Sequence, residues 1–430
     1  MEHAGRTGGL PFVGVGWYRT EFDVPQFQAG KRATILFDGA MSHANVYING
    51  QKVGYWPYGY NSFHFDITKY LKPGEKNTLA VRLENLPESS RWYPGAGLYR
   101  NVHLIITEDA YIPVWGTYIT TPSVNEKFAK VNVRTKVVLP EGADPAKYSV
   151  ETSVWNPNKQ KLTAVRTSLA QMKYNNNQAE QEFVIQAPSL WSPEMPALYS
   201  AETRLYEGDK LKDIYTTPFG IRSIEIIPDK GFFLNGKRTV FKGVCNHHDL
   251  GPLGAAVNDA AIRRQIRILK DMGCNAIRTS HNMPAPELIR ACDEMGMMIM
   301  AESFDEWNVA KCKNGYNLLF DEWAEKDLVN LLHNFRNNPS VVMWCIGNEV
   351  PNQWNEGDCK IAKWLQDICH REDPTRPVTQ GMDAPDAVVN NNFAAVMDVA
   401  GFNYRPFKYK INYKKLPQRI VLGSETASTV

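Results

Sequence analysis

The run Val341-Val342-Met343-Trp344-Cys345-Ile346-Gly347-Asn348-Glu349 is apolar along most of its length and ends in an amide and a carboxylate. A continuous apolar run of this kind is typical of a strand that is buried on both faces, as in a parallel sheet. Similar runs recur after Ile221 and alternate with amphipathic helical segments. The strand-like runs are Val240–Cys245, Ala276–Thr279, Met297–Ala301, Val341–Ile346, Pro377–Gln380, Val396–Asn403 and Ile420–Gly423.

Helical periodicity between the early runs predicts helices at Ala260–Met272 and Trp323–Phe335. A row of βα units favours a TIM-type (β/α)8 barrel over a doubly wound sheet. We therefore predict that residues 221–430 form a catalytic TIM barrel that is truncated after its seventh strand. Because an open parallel sheet exposes its edges, we also expect the chain to be a fragment of a longer protein.

The first half of the chain has a different pattern of apolar and polar residues. Short runs of alternating apolar and polar residues, such as Trp17–Phe22 and Ala33–Phe37, are separated by turn signals such as Asn49-Gly50. Period-2 strands at this spacing indicate β-sandwich or jelly-roll domains. The sequence therefore predicts a multidomain protein, with a β jelly roll over residues 1–108 and an immunoglobulin-like β-sandwich over residues 109–220.

The composition narrows the classes of function. Of the 430 residues, 43% are hydrophobic and 22% are charged, as in an ordinary globular protein. The formal net charge of +2 is too small to indicate nucleic acid as a partner. No apolar stretch reaches the length of about 18 residues that a membrane span requires. We expect a soluble protein in the cytoplasm or the periplasm of a bacterium, and we leave homo-oligomer formation open.

Polar side chains crowd the segments that end the predicted barrel strands. In a TIM barrel the carboxyl ends of the strands meet at one face, and active sites lie there. The segments are Asn246–Asp249, Arg278–Asn282, Glu302–Trp307, Gly347–Glu349, Gly401–Tyr404 and Ser424–Thr426. Strand ends that combine carboxylates, imidazoles, amides and a phenol predict a catalytic site at this face.

Two of these carboxylates, Glu349 after the fourth strand and Glu425 after the seventh, meet the needs of glycoside hydrolysis. One carboxyl group must protonate the departing oxygen, and the other must be ionised to attack the anomeric carbon or to activate water. Taken alone, Glu349 also fits a carboxylate in the first turn of a helix, and Glu425 a surface residue. Neighbouring residues of a strand point to opposite sides, so at least one of His247 and His248 is expected to be structural.

Two longer stretches resemble the signatures of glycoside hydrolase family 2. They are Asn275–Pro284 followed by Asp293–Met297, and Arg336–Glu349. Segments of the first half resemble the sugar-binding jelly roll of the same family, namely Ala44–Gly50, Asn61–Phe63, Phe65–Thr68 and Ser90–Arg100. The resemblance covers nearly the whole chain and implies the family's order of jelly roll, immunoglobulin-like sandwich and barrel.

The resemblance also implies roles by position. Glu349 would be the general acid/base, Glu425 the nucleophile, and Arg278 the group that keeps the nucleophile ionised. Substrate-binding roles would fall to His248, Asp249, His281, Asn348, Tyr404, Asp305 and Trp307. We expect no metal or other cofactor, because Asn308 stands near the position where some galactosidases carry a ligand histidine.

The activity implied is that of a retaining exo-β-glycosidase, which hydrolyses terminal β-galactosides by double displacement through a covalent glycosyl-enzyme. The expected partner is therefore a glycoside or oligosaccharide substrate. Two alternatives stay open, a β-glucuronidase of the same family and a truncated or non-catalytic carbohydrate-binding relative. A third, a metal-dependent hydrolase, would rest on His247 or His248 together with Asp249 and His281.

Overall fold

The computed structural model describes residues 13–26, 30–171 and 178–427, which form three units in chain order. The strands of the first unit are β1 (Gly14–Asp23), β2 (Arg32–Phe37), β3 (Ala44–Ile48), β4 (Gln51–Trp56), β5 (Phe63–Asp66), β6 (Lys76–Asn85) and β7 (Val102–Thr107). They make two antiparallel sheets, ordered β1-β6-β3-β4 and β5-β2-β7. Alternate residues of β3 and β6 are buried, so the period-2 pattern of the sequence becomes one apolar face in the core.

The second unit is also a pair of antiparallel sheets. Its strands are β8 (Thr117–Val124), β9 (Phe128–Lys136), β10 (Tyr148–Trp155), β11 (Lys161–Ser168), β12 (Gln178–Gln186), β13 (Tyr199–Glu207) and β14 (Lys210–Phe219). The sheet orders are β11-β10-β13-β14 and β12-β9-β8. This arrangement confirms the predicted immunoglobulin-like sandwich.

The third unit contains the parallel sheet. A short antiparallel sheet of β15 (Ile224–Ile227), β16 (Gly231–Leu234) and β17 (Lys237–Arg238) precedes it. The parallel strands are β18 (Gly243–Asn246), β19 (Ala276–Thr279), β20 (Met298–Glu302), β21 (Val341–Asn348), β22 (Val378–Met382), β23 (Val399–Asn403) and β24 (Val421–Glu425). The helices are α1 (Asp259–Asp271), α2 (Pro286–Met295), α3 (Phe320–Phe335), α4 (Cys359–Glu372), α5 (Pro385–Asn390) and α6 (Tyr409–Lys415).

The seven strands of this sheet are hydrogen-bonded in chain order, and each neighbouring pair is parallel. Every residue of β21 is buried, as its continuous apolar run predicts. Helix α1 starts where the side chain of Asn258 accepts a hydrogen bond from Ala261 N, and it buries one apolar stripe. The predicted barrel topology through seven strands is confirmed. In the described ranges, no helix has both the length and the apolar character needed to cross a membrane.

The first parallel strand begins later than predicted. The apolar run Val240–Cys245 predicts a strand from Val240, whereas β18 runs from Gly243 to Asn246. Lys237 and Arg238 instead pair with β16 in a hairpin, and the chain after them leaves Val240 56% exposed. Residues 240–242 thus link the hairpin to the strand, which ends at Asn246, one residue beyond the predicted run.

Asp327 of α3 ties the jelly roll to the barrel. Its carboxylate is fully buried and accepts hydrogen bonds from Trp56 Nε1 at 2.9 Å and from Asn61 Nδ2 at 2.6 Å, both in the jelly roll. The hydroxyl of Tyr316 donates to its other oxygen at 2.5 Å. Burial raises the pKa of Asp327 to about 7, although these three hydrogen bonds oppose the rise. The junction thus depends on one satisfied buried acid.

The immunoglobulin-like sandwich is joined to the barrel by hydrogen bonds of the same kind. The hydroxyl of Tyr118 donates to Asp373 Oδ1 at 2.8 Å. The side chain of Asn337 accepts from Ile119 N at 2.8 Å and donates to Thr117 O at 3.0 Å. Asn337 belongs to the signature stretch that ends in Glu349, so part of this stretch joins two domains.

We predict that Asp327→Ala destabilises the protein by about 3 kcal/mol, because three donors, two of them on buried residues, lose their acceptor. Thermal unfolding monitored by circular dichroism should show the midpoint several degrees lower. The matched control is Glu322→Ala on the same helix, where the exposed ion pair with Lys326 at 3.3 Å contributes at most about 0.5 kcal/mol. If both variants melt at the same temperature, the buried junction adds no stability.

Candidate active site

The polar ends of the parallel strands meet in one hydrogen-bonded network. Arg278 lies in β19, Glu302 ends β20, Asn348 ends β21, Asn403 ends β23 and Glu425 ends β24. The guanidinium of Arg278 donates to the side chains of Glu302, Glu425 and Asn348, and Asn403 donates to Asn348. Because all five residues lie at the carboxyl ends of parallel strands, the sheet brings them to one face.

Glu425 accepts hydrogen bonds from two side chains at this face. Its Oε2 accepts a hydrogen bond from Arg278 Nη1 at 3.0 Å and lies 3.8 Å from His281 Nε2. The hydroxyl of Tyr404 donates to its Oε1. Burial alone would raise the pKa of Glu425, but the hydrogen bond from Tyr404 and the charges of Arg278 and His281 outweigh it, so the pKa is lowered. Glu425 is therefore held as a carboxylate.

Glu302 fixes the two groups that face Glu425. Its side chain is fully buried, with Oε2 at 2.6 Å from Arg278 Nε and Oε1 at 2.7 Å from His281 Nδ1. One carboxylate thus orients a guanidinium and an imidazole by two separate bonds. The opposite nitrogens of both groups are then presented to Glu425.

Glu349 belongs to the same network. Its Oε1 accepts from Asn403 Nδ2 at 2.9 Å, and the same nitrogen lies 2.9 Å from Asn348 Oδ1. The backbone N–H of Glu349 donates to Gly381 O at 2.7 Å, which holds a left-handed backbone with φ of 44°. Glu349 and Glu425 therefore share one site, joined through Asn403, Asn348 and Arg278.

Asn348 is fully buried and its amide is occupied by protein partners. Its Oδ1 accepts from Arg278 Nη2 at 2.9 Å and from Asn403, and its Nδ2 donates to Asp305 Oδ1 at 3.0 Å. These bonds fix the residue that precedes Glu349. The substrate-binding role predicted for Asn348 stays a prediction.

Asp305 connects this network to the jelly roll. Arg91 of the jelly roll donates to it twice, from Nε at 2.9 Å and from Nη2 at 2.7 Å, and Lys311 Nζ lies 2.9 Å from Oδ1. Burial would raise the pKa of Asp305, yet Arg91 and Lys311 hold it well below its usual range. Lys311 Nζ also donates to Asn348 O at 2.6 Å, so the loop after β20 is tied to the residue next to Glu349.

The structure corrects the histidine register. His248 packs edge-on against Tyr60, with ring centroids 4.9 Å apart, and its Nε2 lies 3.0 Å from Pro94 O. Burial lowers the pKa of His248 to about 3. His248 thus faces the jelly roll, whereas the ring of His247 lies 5.6 Å from that of His281. The neighbouring residue, His247, is the histidine that reaches the site.

Trp307 and Asp249 each bond a backbone group outside the network, and the substrate-binding role predicted for Asp249 stays a prediction. Trp307 is fully buried and donates from Nε1 to Ile346 O at 2.9 Å. Its side chain therefore packs in the core and does not make the contact with substrate that was predicted. A Cβ on Gly347 would lie 3.0 Å from Trp307 Nε1, which explains the glycine before Asn348. Asp249 Oδ2 accepts from Gly251 N at 3.3 Å and shapes the turn after β18.

Glu302, Asn403 and Trp92 belong to this site but were absent from the predicted set. Glu302 and Asn403 are the last residues of buried apolar strands. A polar residue at the end of an apolar run is visible in the sequence and could have identified both. Trp92 of the jelly roll has no such signal. Its ring lies 5.3 Å from that of His247 and 5.8 Å from that of His281, and Nε1 donates to Tyr60. Trp92 therefore forms a wall that only the tertiary structure reveals.

The carboxylates of this face are bound to protein donors. Glu302 and Asp305 pair with arginine or lysine, and Glu425 with Arg278 and Tyr404. Within residues 13–26, 30–171 and 178–427, no group of three or more His, Cys, Asp or Glu is arranged to hold a metal ion. The expected lack of a metal or cofactor stays a prediction.

The chain thus combines a jelly roll, an immunoglobulin-like sandwich and a parallel β/α unit, and its strand ends bring Glu349 and Glu425 into one hydrogen-bonded network. Three family models match the chain in this order: the sugar binding domain of glycosyl hydrolases family 2 at residues 11–108, the family 2 domain at residues 111–222, and the family 2 TIM barrel domain at residues 225–425. The chain belongs to glycoside hydrolase family 2.

The similar proteins within the family include both a β-galactosidase and a β-glucuronidase. The chain is 41% identical to the β-galactosidase BoGH2A of Bacteroides ovatus over 94% of this chain and 51% of that protein. It is 32% identical to a β-glucuronidase of Bacteroides fragilis over 85% of this chain and 54% of that protein. A solved family 2 member from Bacteroides cellulosilyticus superposes with a TM-score of 0.90 at 37% identity, over 96% of this chain and 53% of that chain. The chain spans about half the length of these relatives.

We predict that Glu302→Ala destabilises the protein by about 3–5 kcal/mol, because it leaves the buried Arg278 guanidinium without its main counter-charge. Urea unfolding followed by fluorescence should show a lower midpoint. The control Glu294→Ala removes a partly exposed ion pair with Arg263 at 2.5 Å, where a loss of at most about 1 kcal/mol is expected. Equal midpoints for the two variants would contradict a structural role of Glu302.

Proposed function

We propose that the protein containing this chain is a retaining exo-β-glycosidase that hydrolyses terminal β-galactosides. The observation that carries the proposal is the unequal support of two carboxylates in one network. Glu425 accepts hydrogen bonds from the guanidinium of Arg278 and the hydroxyl of Tyr404, whereas Glu349 accepts one from the neutral amide of Asn403. A strongly supported carboxylate suits a nucleophile, and a weakly supported one suits a group that gains and loses a proton.

The reaction proceeds in two displacements. In the first, Glu349 in its acid form gives its proton to the glycosidic oxygen, and Glu425 attacks the anomeric carbon as the bond to the leaving group breaks. The product is a glycosyl ester on Glu425 and a free alcohol. In the second, Glu349 takes a proton from water, the water oxygen attacks the anomeric carbon, and Glu425 leaves as a carboxylate. The proton on Glu349 is thereby restored.

The charge pattern favours a neutral sugar. Arg278, Arg91 and Lys311, the cations described above, each pair with a carboxylate of the protein. A glucuronide would bring a further carboxylate, which needs a cation of its own. The similarity to the Bacteroides ovatus β-galactosidase also supports a galactoside, whereas the Bacteroides fragilis β-glucuronidase keeps the glucuronide as the second candidate.

We predict that Glu425→Gln lowers kcat/KM on nitrophenyl β-galactoside and on methyl β-galactoside by at least about a thousandfold, because it removes the nucleophile. Glu349→Gln should cause a loss of that size on methyl β-galactoside, whose leaving oxygen needs a proton, and a smaller loss on nitrophenyl β-galactoside, whose nitrophenolate leaves without one. Initial rates of the full-length protein and its variants measure this loss, with nitrophenyl β-glucuronide assayed in parallel. A 2-fluoro galactoside should label Glu425, as mass spectrometry of the digested protein would show.

The outcomes separate the candidates. Faster hydrolysis of the glucuronide would favour the β-glucuronidase, and a label on another residue would refute Glu425 as nucleophile. Wild-type activity in both Gln variants would favour a protein whose carboxylates do not catalyse. Glu294→Gln, a surface carboxylate near Arg263, serves as the control and should keep wild-type rates.

We predict that Tyr404→Phe moves the acidic limb of the kcat/KM profile to higher pH. Its hydroxyl lowers the pKa of Glu425, so its removal raises that pKa and the nucleophile is protonated at a higher pH. The control is Tyr409→Phe, whose hydroxyl donates to Phe402 O at 3.1 Å and should leave the limb in place. An acidic limb that stays fixed in Tyr404→Phe would remove Tyr404 from the support of Glu425.

A further inference from the structure

A cavity lies where the three domains meet. We call it the junction cavity and define it by His64 of the jelly roll, by Trp115, Arg134 and Lys136 of the sandwich, and by Arg336 and Arg371 of the barrel. Its volume is about 490 Å³, within the range of small-molecule sites. No single domain forms it, because each supplies part of the wall.

The junction cavity lies at the end of the barrel opposite to the carboxylate network. Arg336 and Pro374, which line it, precede β21 and β22 in the chain. They therefore lie at the amino ends of parallel strands, whereas Glu349 and Glu425 lie at the carboxyl ends. Strand β21 is the central strand of the seven, so the cavity is also remote from both open edges of the sheet. The junction cavity is thus separate from the candidate active site.

Positive side chains from two domains converge on this cavity. Arg134 and Lys136 stand two residues apart in β9, so both side chains lie on the outer face of the sandwich. The guanidinium of Arg336 lies over the ring of Tyr118 at 4.5 Å from its centroid, and that of Arg134 lies over the same ring at 5.0 Å. Like charges gathered around one ring repel each other, so a bound anion would stabilise the arrangement.

The carboxylates near the cavity are already paired. Glu372 lines the cavity, and its two oxygens lie 2.7 Å from His333 Nε2 and 2.7 Å from Arg371 Nε. Glu180 lies 3.5 Å from Arg134 Nε, and its side chain is 63% exposed. These acids offset the charge of Arg371 and Arg134, and they leave the other cations of the cavity unpaired.

Lys136 and Arg336 are the cations left over, since neither forms an ion pair with a carboxylate of residues 13–26, 30–171 or 178–427. Arg336 Nη1 donates to the backbone oxygen of Glu372 at 3.4 Å, and its Nε is buried without any acceptor in those ranges. Burial lowers the pKa of Arg336, because the charged form is short of counter-charge. Buried N–H groups are rarely left without an acceptor, so this one indicates a place for an acceptor atom of a ligand.

We propose that the junction cavity binds a doubly charged oxyanion, the group of a phosphate or sulfate ester, with Arg336, Arg134 and Lys136 as its donors. Guanidinium groups match such oxyanions by pairs of N–H bonds, and an ammonium group adds a point charge. The rings of Trp115 and His64, whose centroids are 5.4 Å apart, offer a surface on which the organic part of an ester packs. Because its donors come from the sandwich and the barrel, the bound oxyanion holds these two domains together.

The test titrates the full-length protein with inorganic sulfate, inorganic phosphate and glucose 6-phosphate by calorimetry, at constant ionic strength in chloride. We expect one site per chain with a Kd of about 1 mM or tighter. Lys136→Glu, which places a negative charge in the cavity at an exposed position, should weaken binding at least about tenfold. Arg134→Gln should weaken it about threefold or more. Lys161→Glu on β11 makes the same charge change at an exposed position outside the cavity and should leave Kd unchanged.

The outcomes decide between an oxyanion site and none. A full-length protein that binds neither sulfate nor phosphate below about 20 mM would overturn the proposal. So would binding that Lys136→Glu and Arg134→Gln both leave at the wild-type Kd, because the anion would then lie elsewhere. Tighter binding of glucose 6-phosphate than of inorganic phosphate would assign the site to an ester, and equal constants would assign it to the free ion. Both results support the oxyanion site only if Lys136→Glu weakens them, and neither depends on glycosidase activity.

Discussion

The buried guanidinium of Arg278 is the constraint on which the site depends. It is 3% exposed, and its nitrogens bond Glu302, Glu425 and Asn348, which end three different strands. A charge in this position is tolerated only with full pairing, since removal of one partner of a buried pair costs about 3–5 kcal/mol. The strands can therefore pair only in the register that brings these three strand ends together.

The same pairing supports the role proposed for Glu425. Because Arg278 and Tyr404 are already positioned, the carboxylate needs no rearrangement of water or side chains to remain ionised. Glu302 fixes the donors in turn, so the acid that holds the site in place is distinct from the acids that would react. Replacing this network by an apolar core could preserve stability, but it would remove the field at Glu425.

Much of the site could be predicted from the sequence because buried parallel strands have a recognisable sequence pattern. An apolar run that stops at a polar residue located Glu349 and Glu425 at strand ends, and the structure brings them together. The choice between His247 and His248 depended on a one-residue register, and a slip of one residue reverses every side chain. The contact between Arg91 and Asp305 spans 214 positions, and no local pattern encodes it.

Buried acids at the domain junctions fix such contacts between residues that are distant in sequence. Asp327 receives donors from the jelly roll, Asp373 receives Tyr118 from the sandwich, and Asp305 receives Arg91 beside the site. Apolar packing alone would let the domains slide, whereas hydrogen bonds have preferred lengths and directions. The position of the two β domains against the barrel is thus set by bonds whose geometry is fixed. In this chain the jelly roll is part of the site's construction, because its position decides where Arg91 and Trp92 stand relative to the carboxylates.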